Sequence, residues 1–540
     1  MKTILNLLLV LLIILTNPGL SEAPKNLAAK RTTIINDIVN MDINNIDLQL
    51  VNSGRTGNDG HAFYPTGTNL AFLFDGGFAA SGYVYNDLRV SWMVADVLIF
   101  EWQQGKWGMT PEDTLARFYL VNQSDGFGSP AYINWSDAVS LGANFQDLNG
   151  DGLYDPFVDR PDIWGERTIW TPFNDGTPDS VRNQGFFRTA PMGLEIQQTV
   201  WAFTQTGSFR DIIFFRNRLI NADTVDVDSL IFSLYADSDI GAPWDDLTGC
   251  NPELQLGYQY NDGDDSFYGA DPPAFGIQLL QGPIVEAPGD TAYRYRGPYF
   301  GTDTILDRKN LQMASFMPYE KNPLPPLSIP EDSLQARFAQ IGGLDKFGNL
   351  IDPAAWGTGG TALDDPKFAF SGDPVTGVGW LDNNPRDRRL LVNCGPFQMA
   401  AGDTQDIIYA YVLGRGNDVL EGISALRQNA QVAMEYIRNP MITGINNTEL
   451  PFIKHFSLSQ NYPNPFNSET VISFRLEKSD QISLELFDVL GKKISTLIKA
   501  DLASGEYRYR IKMTQLPSGI YYYRLSGLEG SIIKKMMLIK

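Results

Sequence analysis

Toward the C-terminal end of the chain, apolar and polar side chains alternate in four runs, 471–476, 482–487, 507–511 and 520–525. Ile472, Phe474 and Leu476 in the first and Ile482, Leu484 and Leu486 in the second set the pattern, with Ser473, Arg475, Ser483 and Glu485 between them. A period of two places alternate side chains on one face of a strand, and Gly, Asp, Asn and Pro between the runs supply turns. A small β-sandwich is predicted there.

The longer body before it is richer in glycine turns. Segments 64–74, 81–90 and 94–102 read as successive strands of a meander, followed by 195–204, 210–220, 229–235, 389–392 and 405–413, which are expected to build a main sandwich. Residues 24–53 are polar with a helical flavour. The character changes again over 414–438, where Val419, Leu420, Ile423, Leu426, Ala430, Val432, Ala433 and Tyr436 are spaced for one face of a helix. That helix is expected to close the body, and a polar linker follows it. The expected fold class is mainly β.

At the other end, Met1-Lys2 is a short basic stretch, an apolar run extends from Ile4 to Leu15, and the small residues Gly19 and Ser21 follow. This is the pattern of a secretory signal peptide, with cleavage expected after Ser21 because Pro24 disfavours the bond after Ala23. A spanning helix needs roughly 20 apolar residues, so no transmembrane span is expected in the mature chain.

Composition adds to this picture without redirecting it. A chain of 540 residues divides into about two to four domains. Its 50 Gly, 32 Pro, 12% aromatic and 19% charged residues suit sheets joined by turn-rich loops. The net charge of -21 is unevenly spread, because residues 456–540 carry 12 Lys/Arg against 8 Asp/Glu, a net of +4, leaving -25 for the remainder. An acidic body argues against nucleic acid or an anionic membrane as partner, since both demand clustered Lys/Arg. It favours divalent cations or simple solubility.

Histidine and cysteine limit the chemistry. With only His61 and His455, a multi-histidine zinc centre is nearly excluded, and His61 is the sole candidate base for a catalytic triad. Cys250 and Cys394 fit either one disulfide, worth about 4 to 5 kcal/mol by loop closure, or two buried free thiols.

The sharpest chemical pattern is Asp147-Leu-Asn149-Gly-Asp151-Gly152-Leu153-Tyr-Asp155-Pro-Phe-Val158-Asp159. Oxygen-bearing side chains at every second position, followed by a glycine where the chain turns sharply, suit a hard cation that takes about six to eight oxygens. The spacing resembles an EF-hand or dockerin-type calcium loop. Carried over, Asp147, Asn149, Asp151 and Asp155 are side-chain ligands and Leu153 offers its carbonyl, while Val158 occupies the usual twelfth-position acid and Asp159 is its expected replacement. Flanking helix patterns are missing, which describes a calcium loop between strands. A metal-free loop of Asx turns fits the same residues. A second acidic stretch, Asp237, Asp239, Asp245, Asp246, Asn261, Asp262, Asp264 and Asp265, fits either another cation or solvated loops.

The C-terminal segment also carries Asn461-Tyr-Pro-Asn-Pro-Phe-Asn467, Phe487-Asp-Val-Leu-Gly-Lys492, Leu516-Pro-Ser-Gly-Ile-Tyr-Tyr-Tyr523 and Lys534-Lys-Met-Met-Leu-Ile-Lys540. These four blocks resemble the type A sorting domain of the type IX secretion system. The resemblance implies export across the outer membrane of a Bacteroidetes/Chlorobi-like bacterium, contact with the secretion machinery and its sorting protease, and removal of the domain. The body resembles exported proteins of the same group with no known activity, through segments such as 246–250, 256–261, 281–284 and 395–404.

The organisation expected is a signal peptide at 1–21, a β-rich region with the calcium loop at 22–182, a main β-sandwich with its closing helix at 183–440, a linker at 441–455 and the sorting domain at 456–540. Functionally, the expectation is a secreted or cell-surface protein of binding or structural type, stabilised by calcium, with surface polysaccharide or glycan as a candidate ligand. The alternative is a polysaccharide-acting hydrolase, which needs two carboxylates about 5 to 10 Å apart; Asp162 and Glu166 flank Trp164 and are the one pair that invites it. A peptidase lacks both the histidines and a Gly-x-Ser-x-Gly elbow.

Overall fold

The computed structural model describes residues 37–438 and 456–539, apart from 93–100, 111, 186, 205–206, 321–327, 329, 477–478, 488–492, 515 and 528–529. The expected signal peptide and the linker at 441–455 lie outside the described residues, as does most of the expected strand at 94–102.

Two antiparallel sheets build the body. One has five strands in the order Met313–Glu320, Arg388–Met399, Val227–Asp237, Asp75–Val84 and Asp87–Trp92. The other, of nine strands, runs Asp246–Asn251, Leu256–Asn261, Ala274–Gln281, Thr404–Gly414, Ile212–Asn221, Leu194–Ala202, Arg167–Asn174 and Gln103–Gln104, with Tyr119–Asn122 also pairing Arg167–Asn174. Phe78, Phe232, Leu234 and Val392 of the first sheet and Ile169, Ile196, Phe215, Ile277 and Tyr411 of the second belong to one buried core. The mainly β expectation holds.

The strands of the larger sheet are buried on both faces, and the reason lies in what covers them. Along Ile212–Asn221, Ile213 and Phe215 enter the inter-sheet core, whereas Ile212 and Phe214 turn the other way onto the helix Val419–Arg438. Ile423, Leu426, Ala430, Ala433 and Tyr436 form the helix's buried stripe, as their spacing predicts. Each fully buried side chain the size of Ile423 or Leu426 contributes about 1.5–3 kcal/mol. Asp418 starts the helix by accepting the Glu421 amide at 2.8 Å.

Several expectations need correction. Described residues within 24–53 form the strands Ile38–Met41 and Asp47–Val51, paired residue for residue, and no helix. The run 64–74 is turn-rich and joins a ladder only through the bridge Phe63↔Ala71, because Pro65 and the left-handed Gly67 break its course. The run 81–90 is a hairpin, with Val84 opposite Asp87. Tyr85 and Asn86 between them both have positive φ, 53° and 64°, as a two-residue turn with the right twist requires.

The expected boundary at 182/183 falls inside a sheet. Arg167–Asn174 and Leu194–Ala202 pair along their whole length, and Asp75–Val84 pairs Val227–Asp237. Residues on both sides of the boundary therefore share the same two sheets and the same core.

The C-terminal segment is a second sandwich, as predicted. A three-stranded sheet (Phe456–Leu458, Glu469–Leu476, Gly505–Lys512) and a four-stranded sheet (Lys493–Leu502, Asp480–Phe487, Gly519–Gly527, Gly530–Leu538) enclose Ile472, Phe474, Leu476, Ile482, Leu484, Leu486, Tyr523 and Leu525.

Candidate metal sites

The loop 147–159 is closed at its base by a short ladder, Phe145 opposite Pro161 and Gln146 opposite Arg160. A helix that the sequence reading missed, Pro130–Leu141, precedes it. Its signals are present: Ser129 accepts the Tyr132 amide, Pro130 stands in the first turn, and Gly142 ends it at φ 111°. Tyr154 ties the loop to this helix by donating to the Tyr132 carbonyl at 2.9 Å.

Within the loop the expected ligands are distributed over two turns. Asp147 accepts the Gly150 amide at 2.7 Å and the Gly152 amide at 2.8 Å, and these backbone donors hold its carboxyl below the usual carboxylate range. Asn149 accepts the Asp151 amide at 3.1 Å and donates to Asp151 at 2.9 Å, while Asp151 accepts the Leu153 amide at 2.8 Å. Gly150 and Gly152 both lie in the left-handed region, at φ 77° and 76°, which lets the chain wrap around the Asp147 carboxylate. Leu153 is exposed.

Asp155 and Asp159 stand apart from this ring. Asp155 accepts the Phe157 amide at 2.9 Å. Asp159 is fully buried, and its two oxygens accept the amides of Leu148 and Asp155, each at 2.9 Å. It braces the loop from beneath. Among the described residues, the acids of this loop do not bring three carboxylate oxygens within 4.8 Å of one another, whereas Asp237, Asp239 and Asp387 do.

The second acidic stretch divides by direction. Asp262 and Asp264 are exposed. Asp265 is a turn clip, accepting the amides of Ala242, Phe267 and Tyr268 at 2.6–2.8 Å, and Asp245 accepts the Asn261 side-chain amide at 3.1 Å. Asp237 and Asp246 are buried.

The carboxylates of the hydrolase alternative serve separate roles. Asp162 is buried, accepts the Trp164 indole N–H at 3.0 Å, and has its carboxyl pushed up by burial. It lines a cavity of about 10 Å³, room for one water. Glu166 does not line that cavity and accepts the Thr204 amide at 3.0 Å. His61 Nδ1 lies 2.8 Å from the Asn58 carbonyl in a local turn. Cys250 and Cys394 are free and buried.

An open groove was not foreseen. It measures about 420 Å³ and lies between the long hairpin of Ile284–Tyr295 and Thr302–Asn310 and the end of the closing helix. Tyr293, Thr291, Gln281, Asn310, Gln312 and Arg438 are among its walls. Apolar spacing did not announce it, because the hairpin's exposed residues mix Tyr293 and Leu306 with polar neighbours.

Residues 460–540 match the family described as the secretion system C-terminal sorting domain. The chain is thus cargo of the type IX secretion system, bound for the cell surface or the extracellular space and carrying the domain its machinery engages. No helix among the described residues is long and apolar enough to cross a membrane. No curated protein matches the chain. Among solved structures, a polysaccharide lyase is similar at 6% identity over 64% of this chain and 34% of its own, with a TM-score of 0.18. Dimeric latent PorU from Porphyromonas gingivalis is similar at 10% identity over 69% of this chain and 31% of its own, with a TM-score of 0.15. The chain spans about a third of the length of either structure, and likeness at this level carries no argument about activity.

Proposed function

We propose that this exported chain is a calcium-stabilised β-rich protein of binding or structural type, freed of its sorting domain by the secretion system's protease. The observation that carries the calcium reading is the ring around Asp147. Two left-handed glycines and the amides of Gly150 and Gly152 set the turn that presents Asp147, Asn149, Asp151 and the Leu153 carbonyl to a hard cation, while Asp155 stands apart in the next turn. Asp159 acts as the brace beneath, a role different from that of an outer ligand. Calcium of this kind fixes loop conformation.

The binding half of the reading is supported by the groove of about 420 Å³. Tyr293 offers a half-exposed ring beside the amide side chains of Gln281, Asn310 and Gln312. An aromatic face with several planar hydrogen-bonding groups suits a sugar ring, so surface polysaccharide or glycan is the ligand class.

A ligand that binds only the folded state stabilises it by RT ln(1 + [L]/Kd), about 2.7 kcal/mol at a hundred times Kd. Thermal melts of the whole chain with calcium and with chelator, on wild type and on D147A/D151A, test the reading. Wild type is expected to gain stability with calcium and the double variant to lose most of that gain. A double variant with the full response would refute the assignment of this loop.

A further inference from the structure

Three carboxylates meet at one end of the five-stranded sheet. Asp237 ends the Val227–Asp237 strand, Asp239 follows in the next loop, and Asp387 stands immediately before the Arg388–Met399 strand. Strand register makes the meeting, because Asp237 lies opposite Arg389 on one side and Asp75 on the other. One oxygen from each of Asp237, Asp239 and Asp387 lies within 4.8 Å of the other two. Oxygens spread around an ion at about 2.3–2.6 Å occupy such a span.

Arginine charge is shared there. Arg389 contacts Asp237 at 2.9 Å and also pairs with Asp387. Arg55 is committed to Asp75 through two contacts of 2.6 Å. One guanidinium therefore serves two of the three carboxylates, Asp237 and Asp387. The adjacent network is a contrast within the same sheet edge: Glu320 and Asp382 face Arg388, at 2.8 and 3.0 Å, and Arg386, 3.6 Å from Glu320, so two acids meet two cations.

Unused oxygens are the second, independent observation. Asp237 Oδ1 is buried and accepts no hydrogen bond. Asp246, which opens the Asp246–Asn251 strand of the other sheet, is fully buried, and neither oxygen has a donor in good hydrogen-bond geometry, the Gln259 side chain and the Ile240 amide being its nearest polar neighbours. The Gln259 side-chain amide beside it also donates to the Ser238 carbonyl. A buried carboxylate oxygen left without a partner is costly, and a cation is a partner for it.

We propose that Asp237, Asp239 and Asp387 are the protein ligands of a hard divalent cation, with the buried Asp246 supporting them from the facing sheet. All the donors are carboxylate oxygens, which selects calcium, magnesium or manganese over softer ions. The ion joins the end of the five-stranded sheet to the edge of the nine-stranded one. This site is separate from the loop 147–159 and stands or falls without it.

The test is calorimetric titration of the chelator-treated whole chain with calcium, magnesium and manganese chlorides in turn. Wild type is compared with D239N/D387N, with the single variant D387N, whose side chain is only partly buried, and with D147A/D151A. At least one of the three ions is expected to bind wild type and D147A/D151A at a site that D239N/D387N lacks, with D387N alone weakening that site at least tenfold. Terbium luminescence excited through Tyr235 and Tyr319, which lie beside Asp237 in the sheet, is expected to fall in D387N and to persist in D147A/D151A. Should D387N bind the same number of ions at unchanged affinity, or wild type take up none of the three ions at millimolar concentration, the proposal is overturned.

Discussion

Replacing Asp159 by alanine isolates the physical support of the loop from any ion it holds. The side chain is fully buried, and each oxygen accepts one backbone amide, Leu148 and Asp155, at 2.9 Å. Leaving a buried donor without an acceptor costs about 1–3 kcal/mol. Two such donors give roughly 2–6 kcal/mol, reduced to about 2–4 because the variant also relieves the burial of a carboxylate. D159N retains an acceptor for one amide and turns an amide N–H toward the other, so about half the loss is expected. The assay is urea unfolding followed by tryptophan fluorescence, with hydrogen exchange read at Leu148 and Asp155, all in chelator. A loss of 2 kcal/mol corresponds to about a thirtyfold drop in protection at those two amides. D159A protein whose Leu148 and Asp155 amides keep wild-type protection would refute the brace.

Two further outcomes follow from buried and paired groups. Because Cys250 and Cys394 are free and burial pushes both thiols up, reductant is expected to leave the melting temperature unchanged, and a thiol reagent to label both only after unfolding; labelling of the native chain at a rate near that of a free thiol would contradict this. In the sorting domain, Arg524 at 2.6 Å and then Lys493 at 3.1 Å hold the Glu485 carboxyl below its usual range. A depressed folded pKa contributes stability that is present above the unfolded value near 4.3 and lost as pH falls through the folded value. Between pH 5 and 3 wild type is therefore expected to lose more stability than E485Q, and parallel losses in melts of the two proteins would contradict the pairing.

Much of the sorting domain was legible because its strands have one wet and one dry face, so Ile472, Phe474 and Leu476 stand out against Arg475. Lys493–Leu502 escaped notice since its side chains are half-buried or exposed throughout. In the body the two-faced burial of Leu194–Ala202 removes the alternation, so the strand expected at 195–204 carries no signal of which face is which. The hairpin turn at Tyr85-Asn86 and the cap at Ser129-Pro130 were local signals that apolar periodicity alone overlooks. The Asp147 ring could be read from spacing because its members are neighbours in sequence. Asp387 could not be joined to Asp237 and Asp239 that way, since only strand register brings them together.

Export through the C-terminal sandwich is the central claim, and a deletion of residues 456–540 tests it most directly. The sorting family match covers 460–540, and the body's two sheets close their own core without that segment. Cells producing the whole and the shortened chain are fractionated into periplasm, outer membrane and medium, and protease resistance reports whether the body is folded. The expected result is a folded, shortened protein confined to the periplasm while the whole chain reaches the surface or the medium. A folded shortened protein found outside the cell in the same proportion as the whole chain would contradict the account.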